Sequence, residues 1–312
     1  MQNAPRILIV TAAIDRHARQ MKTAFEALGA VARFSKLSEI AFDSGSASGF
    51  SIPGFGETLP DAICVRTMDG GSFEAVTRRL GILHGLEALG VPVSNSARSI
   101  ELCVDKAATS FQLRSAGLPS PRSICVERRD DALAAIAAAD RPMVLKPLFG
   151  SQGKGLKLLR TPEDLPPDEA IEGGVFYLQE FAGKAVGTRW TDFRVLVSDG
   201  RAVAGMRREA ANWITNIKQG AIALPMEPDG EMERIAVAAA KAVGADFCGV
   251  DLLRDGDGAI QLIEVNSMPA WTGLSKVTPI DIAMTRARDL LARLGARDRP
   301  GTLAETLLPK AV

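Results

Sequence analysis

Three oxygen-bearing side chains, Asp251, Glu264 and Asn266, could together bind a divalent cation. Glu264 and Asn266 are two residues apart, so on a β-strand they would point to the same face. Carboxylate and amide oxygens are hard ligands that suit Mg²⁺ or Mn²⁺, which proteins usually share with substrate phosphates. A buried carboxylate is also costly unless a cation or a donor meets it. The alternative is a half-exposed strand whose polar side chains are solvated.

A β-hairpin would position these side chains. Two apolar, β-branched runs flank an Asp- and Gly-rich turn at residues 255–258, which predicts two strands and a tight turn. If the turn has a two-residue loop, Asp251 pairs with Leu262 and lies on the face that carries Glu264 and Asn266.

A lysine and a glycine-rich loop could bind phosphate. Lys146 ends an apolar strand pattern, and the loop 150–155, which contains Ser151 and Gly153, has three glycines. Glycine lets backbone N–H groups approach an anion, and lysine supplies a point charge. The loop matches neither a Walker A motif nor a dinucleotide-binding GxGxxG motif. A flexible hairpin loop with solvated lysines is the alternative.

Two further segments could contact a nucleotide. Lys106 lies in the first turn of a predicted helix and could reach a phosphate, although such lysines are usually solvated. Gln179, Glu180 and Phe181 end an amphiphilic strand that could offer backbone groups to a purine edge. A plain edge strand is the alternative for this second segment.

Basic and amide side chains cluster on and after two long predicted strands, at Arg194, Arg207, Arg208, Asn216 and Lys218. Arginines on adjacent strands form forks that suit bidentate binding of carboxylate or phosphate. The alternative is a mixed charged face that pairs with Asp192, Glu209 and other acids.

The elements around these residues indicate an α/β protein with additional α+β lobes. Strand patterns at 6–11 and 62–65 alternate with helical patterns at 15–28 and 73–89, which predicts a small parallel α/β domain over residues 1–95. The length of 312 residues allows two or three domains.

Composition excludes several classes of function. Lys plus Arg equals Asp plus Glu at 37 each, which argues against a dedicated nucleic-acid binder. No apolar run approaches the ~20 residues that span a membrane, and the N-terminus lacks a signal-peptide pattern, so we expect a cytoplasmic protein. Four scattered cysteines and two histidines disfavour structural zinc, disulfides and a catalytic triad.

Taken in order, these motifs resemble the ATP-grasp superfamily and, within it, the RimK-like amino-acid ligases, over about residues 90–283. The motifs that carry the resemblance are Asp105-Lys106, Val144-Leu145-Lys146-Pro147 with its glycine loop, Gln179-Glu180, Asp192-Phe193-Arg194-Val195, Met206-Arg207-Arg208, Thr215-Asn216, Gly249-Val250-Asp251 and Glu264-Val265-Asn266. The ordered set is highly specific.

The resemblance implies an ATP-grasp fold with an N-terminal pre-ATP-grasp domain, and an ATP site between a central lobe, 96–185, and a C-terminal lobe, 186–296, followed by a tail, 297–312. The implied ATP contacts are Lys106 and Lys146 at phosphates, Ser151 and Gly153 in a lid, Gln179, Glu180 and Phe181 at the adenine, and Asp192 near the ribose. Asp251, Glu264 and Asn266 would bind two Mg²⁺ or Mn²⁺ ions. Arg207, Asn216 and Arg194 would bind the substrate carboxylate and its acylphosphate.

The implied reaction is an ATP-dependent ligation of a carboxylate to an amine, such as glutamate, through an acylphosphate. The substrates would be small molecules or peptides, with neither nucleic acid nor membrane as a partner. Dimers and tetramers are common among the relatives, so a homo-oligomer is compatible with the resemblance. The alternatives are an inactive nucleotide-binding regulatory protein and an ATP-grasp kinase.

Two segments depart from the RimK pattern. Lys218-Gln219-Gly220-Ala221 replaces a His-Arg-Gly-Gly run, and Met268-Pro269-Ala270-Trp271 replaces the expected Pro-Gly. We expect these positions to face the substrates, which disfavours a ribosomal-protein acceptor. A smaller acceptor is expected, such as a C1-carrier coenzyme of the tetrahydromethanopterin or methanofuran type.

Overall fold

A computed structural model describes residues 4–150 and 153–297. The strands are β1 (Arg6–Val10), β2 (Val31–Ser35), β3 (Ala41–Phe42), β4 (Phe50–Ser51), β5 (Ala62–Val65), β6 (Val93–Ser94), β7 (Ser123–Val126), β8 (Met143–Lys146), β9 (Lys157–Leu159), β10 (Phe176–Glu180), β11 (Ala185–Val186), β12 (Arg189–Ser198), β13 (Arg201–Ala210), β14 (Ile222–Met226), β15 (Phe247–Arg254) and β16 (Ile260–Asn266). The helices are α1 (Arg16–Ala27), α2 (Phe73–Ala88), α3 (Ala97–Val104), α4 (Lys106–Ser115), α5 (Arg129–Ala137), α6 (Gly230–Ala242) and α7 (Ile282–Arg297). The predicted tail lies outside the described residues, apart from its first residue.

The N-terminal sheet is parallel, in the order β2-β1-β5-β6. β1 and β5 are almost wholly buried, as expected for parallel strands covered on both faces. The predicted strands and helices of this α/β unit are therefore confirmed. β2 was not predicted, because only part of it is buried and its apolar pattern is weak.

The central sheet is antiparallel, in the order β7-β10-β8-β9, and α5 packs against it. α4 begins at the predicted N-cap Asp105, whose carboxylate accepts the amides of Ala107 and Ala108. α3 and α4 were expected to belong to the central lobe. Cys103 and Leu113 of these helices pack into the core beneath the C-terminal sheet, and the predicted domain bounds stay a prediction.

The C-terminal sheet has the strand order β14-β13-β12-β15-β16, and β11 pairs with β12. One face packs on α6 through apolar residues such as Val195, Val250 and Val265. The other face carries polar side chains toward the central lobe.

The predicted hairpin of β15 and β16 is present, but its predicted register was wrong. Its loop contains five residues, 255–259, because Asp255 accepts the amides of Asp257 and Ala259 and widens the turn. A β-bulge at Ile263 then shifts the pairing, so Asp251 lies opposite Glu264 rather than Leu262.

Asn95 joins the N-terminal domain to the C-terminal sheet. Its side chain is fully buried, and it donates to the carbonyls of Phe247 (2.7 Å) and Ser267 and accepts the Phe247 amide (2.8 Å). Arg286 of α7 adds a second link by donating to the carbonyls of Val65 (2.9 Å) and Ser94 (3.1 Å). Within residues 4–150 and 153–297, no helix is long and apolar enough to cross a membrane.

We expect Asn95→Ala to destabilise the protein by about 3 kcal/mol or more, because three buried backbone groups lose their partner at about 1–3 kcal/mol each. The measurement is the urea unfolding midpoint of the full chain. Asn212→Ala is the matched control, since Asn212 is exposed and accepts one local amide. Equal midpoints for the two variants would contradict the role of Asn95.

Candidate active site

Two adjoining clefts contain most of the predicted site residues. The first cleft, of about 1000 Å³, opens between the central and C-terminal lobes. Its lining includes Lys106, Lys146, Gly153, Gln179, Glu180, Phe181, Asp192, Asn216, Asp251 and Glu264. The second cleft, of about 1620 Å³, opens between the N-terminal domain and the C-terminal lobe and is lined in part by Arg194 and Asn266. Ser151 lies outside the described residues.

Cross-strand pairing aligns a row of charged side chains on the cleft face of the C-terminal sheet. Arg194 of β12 lies opposite Asp251 of β15, which lies opposite Glu264 of β16. In the neighbouring row, Asp192 of β12 lies opposite Arg208 of β13. The register of four strands therefore determines which charges meet.

Two buried ion pairs dominate these two rows, one in each row. Arg194 donates Nε and Nη2 to the two oxygens of Asp251, both at 2.7 Å. Arg208 donates to the two oxygens of Asp192 at 2.6 and 2.5 Å and also contacts Asp251 at 3.1 Å. Burial alone would raise the pKa of Asp251, but both guanidiniums outweigh it and lower that pKa to about 2. Asp251 is therefore charged at neutral pH.

The three predicted metal ligands lie together, with different partners. Within the described residues, the Glu264 carboxylate makes neither a hydrogen bond nor an ion pair, and the buried Asn266 Nδ2 has no partner. Both oxygens of Asp251 are already bound by arginine. In this same part of the chain, no three His, Cys, Asp or Glu side chains could hold a metal by themselves. These few oxygen ligands therefore suit a cation that completes its coordination with oxygens from a phosphate.

Two lysines project toward the same cleft. Lys146 Nζ donates to Gln179 Oε1 at 2.6 Å, and Gln179 is held in turn by Ser123 at 3.2 Å. Burial lowers the pKa of Lys146 to about 8, although Glu264 opposes this shift. Lys106 Nζ donates to the Gly150 carbonyl at 2.8 Å, and burial lowers its pKa as well. Gln179 therefore orients Lys146, and Lys106 holds the start of the glycine loop.

The glycine loop packs closely on the segment after β13. Gly153 has φ +70°, and a Cβ there would lie 2.9 Å from Ile214 Cγ2 and 3.4 Å from Asn216 Cβ. Both the backbone angle and this approach require glycine. Gly153 therefore lies against Asn216 at the cleft.

An aromatic cluster, which the sequence did not reveal, lines the outer part of the first cleft. Phe181 makes edge-to-face contacts with Trp190 and Trp213, at ring-centroid distances of 5.6 and 5.7 Å. The amides of Glu180 and Phe181 already donate to carbonyls of the central lobe. They are therefore not free for a purine edge. The Ala182 amide has no partner within the described residues and lines the cleft.

Arg207 was predicted as a site residue, but the structure places it outside both clefts. Its side chain is exposed and pairs with Glu209 at 3.0 Å. A β-bulge at Val203 shifts the pairing of β12 with β13, so Arg208 rather than Arg207 lies opposite Asp192. Arg208 is the buried arginine that both clefts share.

The two segments that depart from the RimK pattern lie beside the second cleft. Lys218 lines it, is exposed, and has no ion pair within the described residues, and Met268 lines it as well. Trp271 was expected to face the substrates, which is wrong. It is fully buried against His17 and Phe247, because the indole fills the core between the N-terminal and C-terminal domains.

Comparison with known proteins identifies the family. Residues 101–290 match the model of the RimK-like ATP-grasp domain. A tetrahydromethanopterin:alpha-L-glutamate ligase of Methanococcus maripaludis is 35% identical over 233 residues, which cover 72% of this chain and 78% of the relative. A probable alpha-L-glutamate ligase of Maridesulfovibrio salexigens is 31% identical over 229 residues, or 68% of this chain and 74% of the relative.

Solved structures share the fold at lower sequence identity. The ATP-grasp ligase PsnB, in complex with a minimal precursor, Mg and ADP, superimposes with a TM-score of 0.69 at 22% identity. The match covers 93% of this chain and 98% of PsnB. The family assignment from the sequence motifs is thus confirmed: the chain belongs to the RimK-like ATP-grasp family and is an ATP-dependent carboxylate–amine ligase.

Proposed function

We propose that the protein uses ATP and Mg²⁺ or Mn²⁺ to join glutamate to the carboxylate of a small-molecule acid through an acylphosphate. The observation that carries this proposal is the junction of the two clefts at Arg208, Asn216 and Glu264. A phosphoryl donor in one cleft and a carboxylate in the other would meet at this junction. A ligase of this kind needs both molecules there at the same time.

The first cleft suits ATP. Lys106 and Lys146 supply positive charge for phosphates, and Phe181, Trp190 and Trp213 supply aromatic surface for a purine. The amides of Ala182 and Gly183 have no partner within the described residues, and both residues line that end of the cleft. Asp192 was expected near the ribose, but its oxygens bind Arg208, so we assign it to orienting that arginine.

Glu264 and Asn266 would hold the metal ion. Asp251 would also bind it, through carboxylate oxygens that at the same time accept hydrogen bonds from Arg194 and Arg208. A bound Mg²⁺ or Mn²⁺ would neutralise phosphate charge and so favour phosphoryl transfer. This assignment explains why Glu264 lacks a partner within the described residues in a half-buried position. The unpaired Asn266 Nδ2 is a donor, so it would meet a phosphate oxygen while Oδ1 binds the cation.

Arg208 would stabilise the charge that develops during both chemical steps. A carboxylate oxygen attacks the γ-phosphorus of ATP and ADP leaves; the amine nitrogen then attacks the acyl carbon and phosphate leaves with loss of a proton. Arg208 is already fixed by Asp192, so it needs little reorganisation to act on either step. The glycine loop, whose Gly153 approaches Asn216, would keep water from the acylphosphate.

A small acid is the proposed acceptor. The relatives named above are a tetrahydromethanopterin:alpha-L-glutamate ligase and a probable alpha-L-glutamate ligase. The departures at Lys218 and Met268 line the second cleft, where the acceptor would lie. We propose a C1-carrier coenzyme as the class of this acceptor.

The proposed function predicts ADP release that requires Mg²⁺, L-glutamate and a carboxylate acceptor together. We expect Glu264→Gln to lower this turnover about 100-fold or more, because it removes charge and keeps shape. Glu209→Gln is the matched control, since Glu209 faces away from the clefts. Near-normal turnover of Glu264→Gln at limiting Mg²⁺ would contradict the assignment of Glu264 as a metal ligand. ADP release that needs a hydroxyl compound rather than an amine would indicate a kinase, and nucleotide binding without any turnover would indicate a regulatory protein.

We expect Gly153→Ala to lower turnover about tenfold, because the methyl group meets Ile214 and an L-residue at positive φ costs about 1 kcal/mol. Gly174→Ala separates these two effects, since Gly174 has φ +68° with open space around it. Steady-state ADP release of both variants is the measurement. If Gly174→Ala lost as much activity, the close approach of the loop would not matter.

The different burial of Arg207 and Arg208 supports different roles for these neighbouring arginines. Arg207→Ala should keep turnover within about twofold, because its exposed pair contributes little. Arg208→Lys should lower kcat about tenfold or more, because lysine cannot form the bidentate contact with Asp192. Thermal unfolding confirms that each variant is folded. A loss confined to Arg207→Ala would reverse the assignment.

A further inference from the structure

The N-terminal sheet brings a polar crevice to the edge of the second cleft. The strand order β2-β1-β5-β6 changes direction between β1 and β5, so the carboxyl ends of these strands flank a topological switch point. Ligands of open parallel sheets bind in the crevice outside such a point. Arg66 and Thr67 follow β5 there, and both line the second cleft.

Arg66 is a buried cation with one N–H group that lacks a hydrogen-bond partner in the part of the chain that the structure describes. Arg66 is 4% exposed, and it donates to Asp15 at 3.0 Å and to the Met268 carbonyl at 3.4 Å. Its Nη2 also lies 3.2 Å from His17 Nδ1. Its buried Nε has no partner within the described residues. The Asp15 carboxylate is shared with the Ala18 amide at 2.7 Å, so it does not serve Arg66 alone.

His17 fixes this arrangement without adding charge. The Trp271 amide donates to His17 Nε2 at 3.3 Å, so Nε2 is an acceptor and the ring is neutral. Nδ1 lies 3.2 Å from both Asp15 Oδ2 and Arg66 Nη2. Burial lowers the pKa of His17, which is consistent with a neutral ring. Arg66 is therefore the cation of this cluster.

The charges around the second cleft favour an anionic ligand. Its ionisable lining residues in the described part of the chain are Arg66, Arg194, Arg208, Lys218 and Glu264, besides Cys103. Arg194 and Arg208 are neutralised by Asp251 and Asp192. Arg66 of the N-terminal domain also has a carboxylate partner, Asp15, but shares it with His17 and the Ala18 amide. Lys218 of the C-terminal lobe has no ion pair within the described residues, and Glu264 is assigned to the metal ion.

We propose that Arg66 and Lys218 form a carboxylate subsite that recognises a substrate carboxylate other than the one that is activated. Arg66 and Lys218 are its specificity-determining residues, and Asp15 and His17 are positioning residues for Arg66. This inference rests on the proposed function for the identity of the substrates. The carboxylate is either the side-chain carboxylate of the amino acid or a second carboxylate of the acid acceptor.

Calorimetric titration tests the subsite without requiring turnover. The full-length protein, saturated with Mg²⁺ and the ATP analogue AMPPNP, is titrated with L-glutamate, L-glutamine and glutarate. We expect L-glutamate or glutarate to bind at least about tenfold more tightly than L-glutamine, as one charge-assisted hydrogen bond would give. Arg66→Lys and Lys218→Met should each remove most of this preference and leave AMPPNP affinity unchanged.

The controls separate the possible outcomes. Lys241→Met removes an exposed lysine of α6, on the opposite side of the C-terminal sheet, and should leave every affinity unchanged. A loss confined to L-glutamate assigns the carboxylate to the amino acid, and a loss confined to glutarate assigns it to the acceptor. Lys218 is exposed, so Lys218→Met remains informative even if Arg66→Lys is poorly folded.

The proposal is wrong if the parent protein binds none of the three probes, or if both variants keep its preference for carboxylates. Failure of the proposed function looks different. In that case the charge preference would persist in the titrations, while no pair of substrates would produce ADP.

Discussion

The site depends on two buried arginine–carboxylate pairs that cross the C-terminal sheet. Removing charges from water is costly, so Asp192 and Asp251 are tolerated in this position because Arg208 and Arg194 meet them in bidentate geometry. Loss of one partner would leave an uncompensated buried charge. The pairs therefore restrain the register of β12, β13 and β15. Glu264, at the end of the same row, has no arginine partner within the described residues, and this difference makes it available to a cation.

The N-terminal domain holds the segment that follows the proposed metal ligand Asn266. Asn95 donates to the Ser267 carbonyl, Arg66 to the Met268 carbonyl, and His17 accepts the Trp271 amide. Each bond joins residues more than 170 positions apart in the chain. The wall of the second cleft is thus shaped by side chains of a different domain. A substrate that contacts Arg66 would act on the same network that positions this wall.

Local patterns predicted the elements well, and β-bulges account for the principal errors in the site. The turn after β12 pairs Ser198 with Arg201, and an uninterrupted ladder from that turn would place Arg207 opposite Asp192. The extra residue at Val203 moves Arg208 into that position. A one-residue shift exchanges the two faces of a strand, and neither this bulge nor the one at Ile263 has a glycine or proline that would reveal it.

The two clefts differ in how far the sequence could describe them, and the difference is physical. Lys146 and Glu264 each lie in a short motif whose strand or turn positions them locally, so the reaction class followed from the sequence. The second cleft instead combines Arg66, at the switch point of the parallel sheet, with Lys218 and Met268 from distant loops. Its charge balance emerges only when those elements pack together. In the proposed function, acceptor specificity would therefore reside in tertiary contacts between domains, and the motifs for ATP use would leave it free to vary.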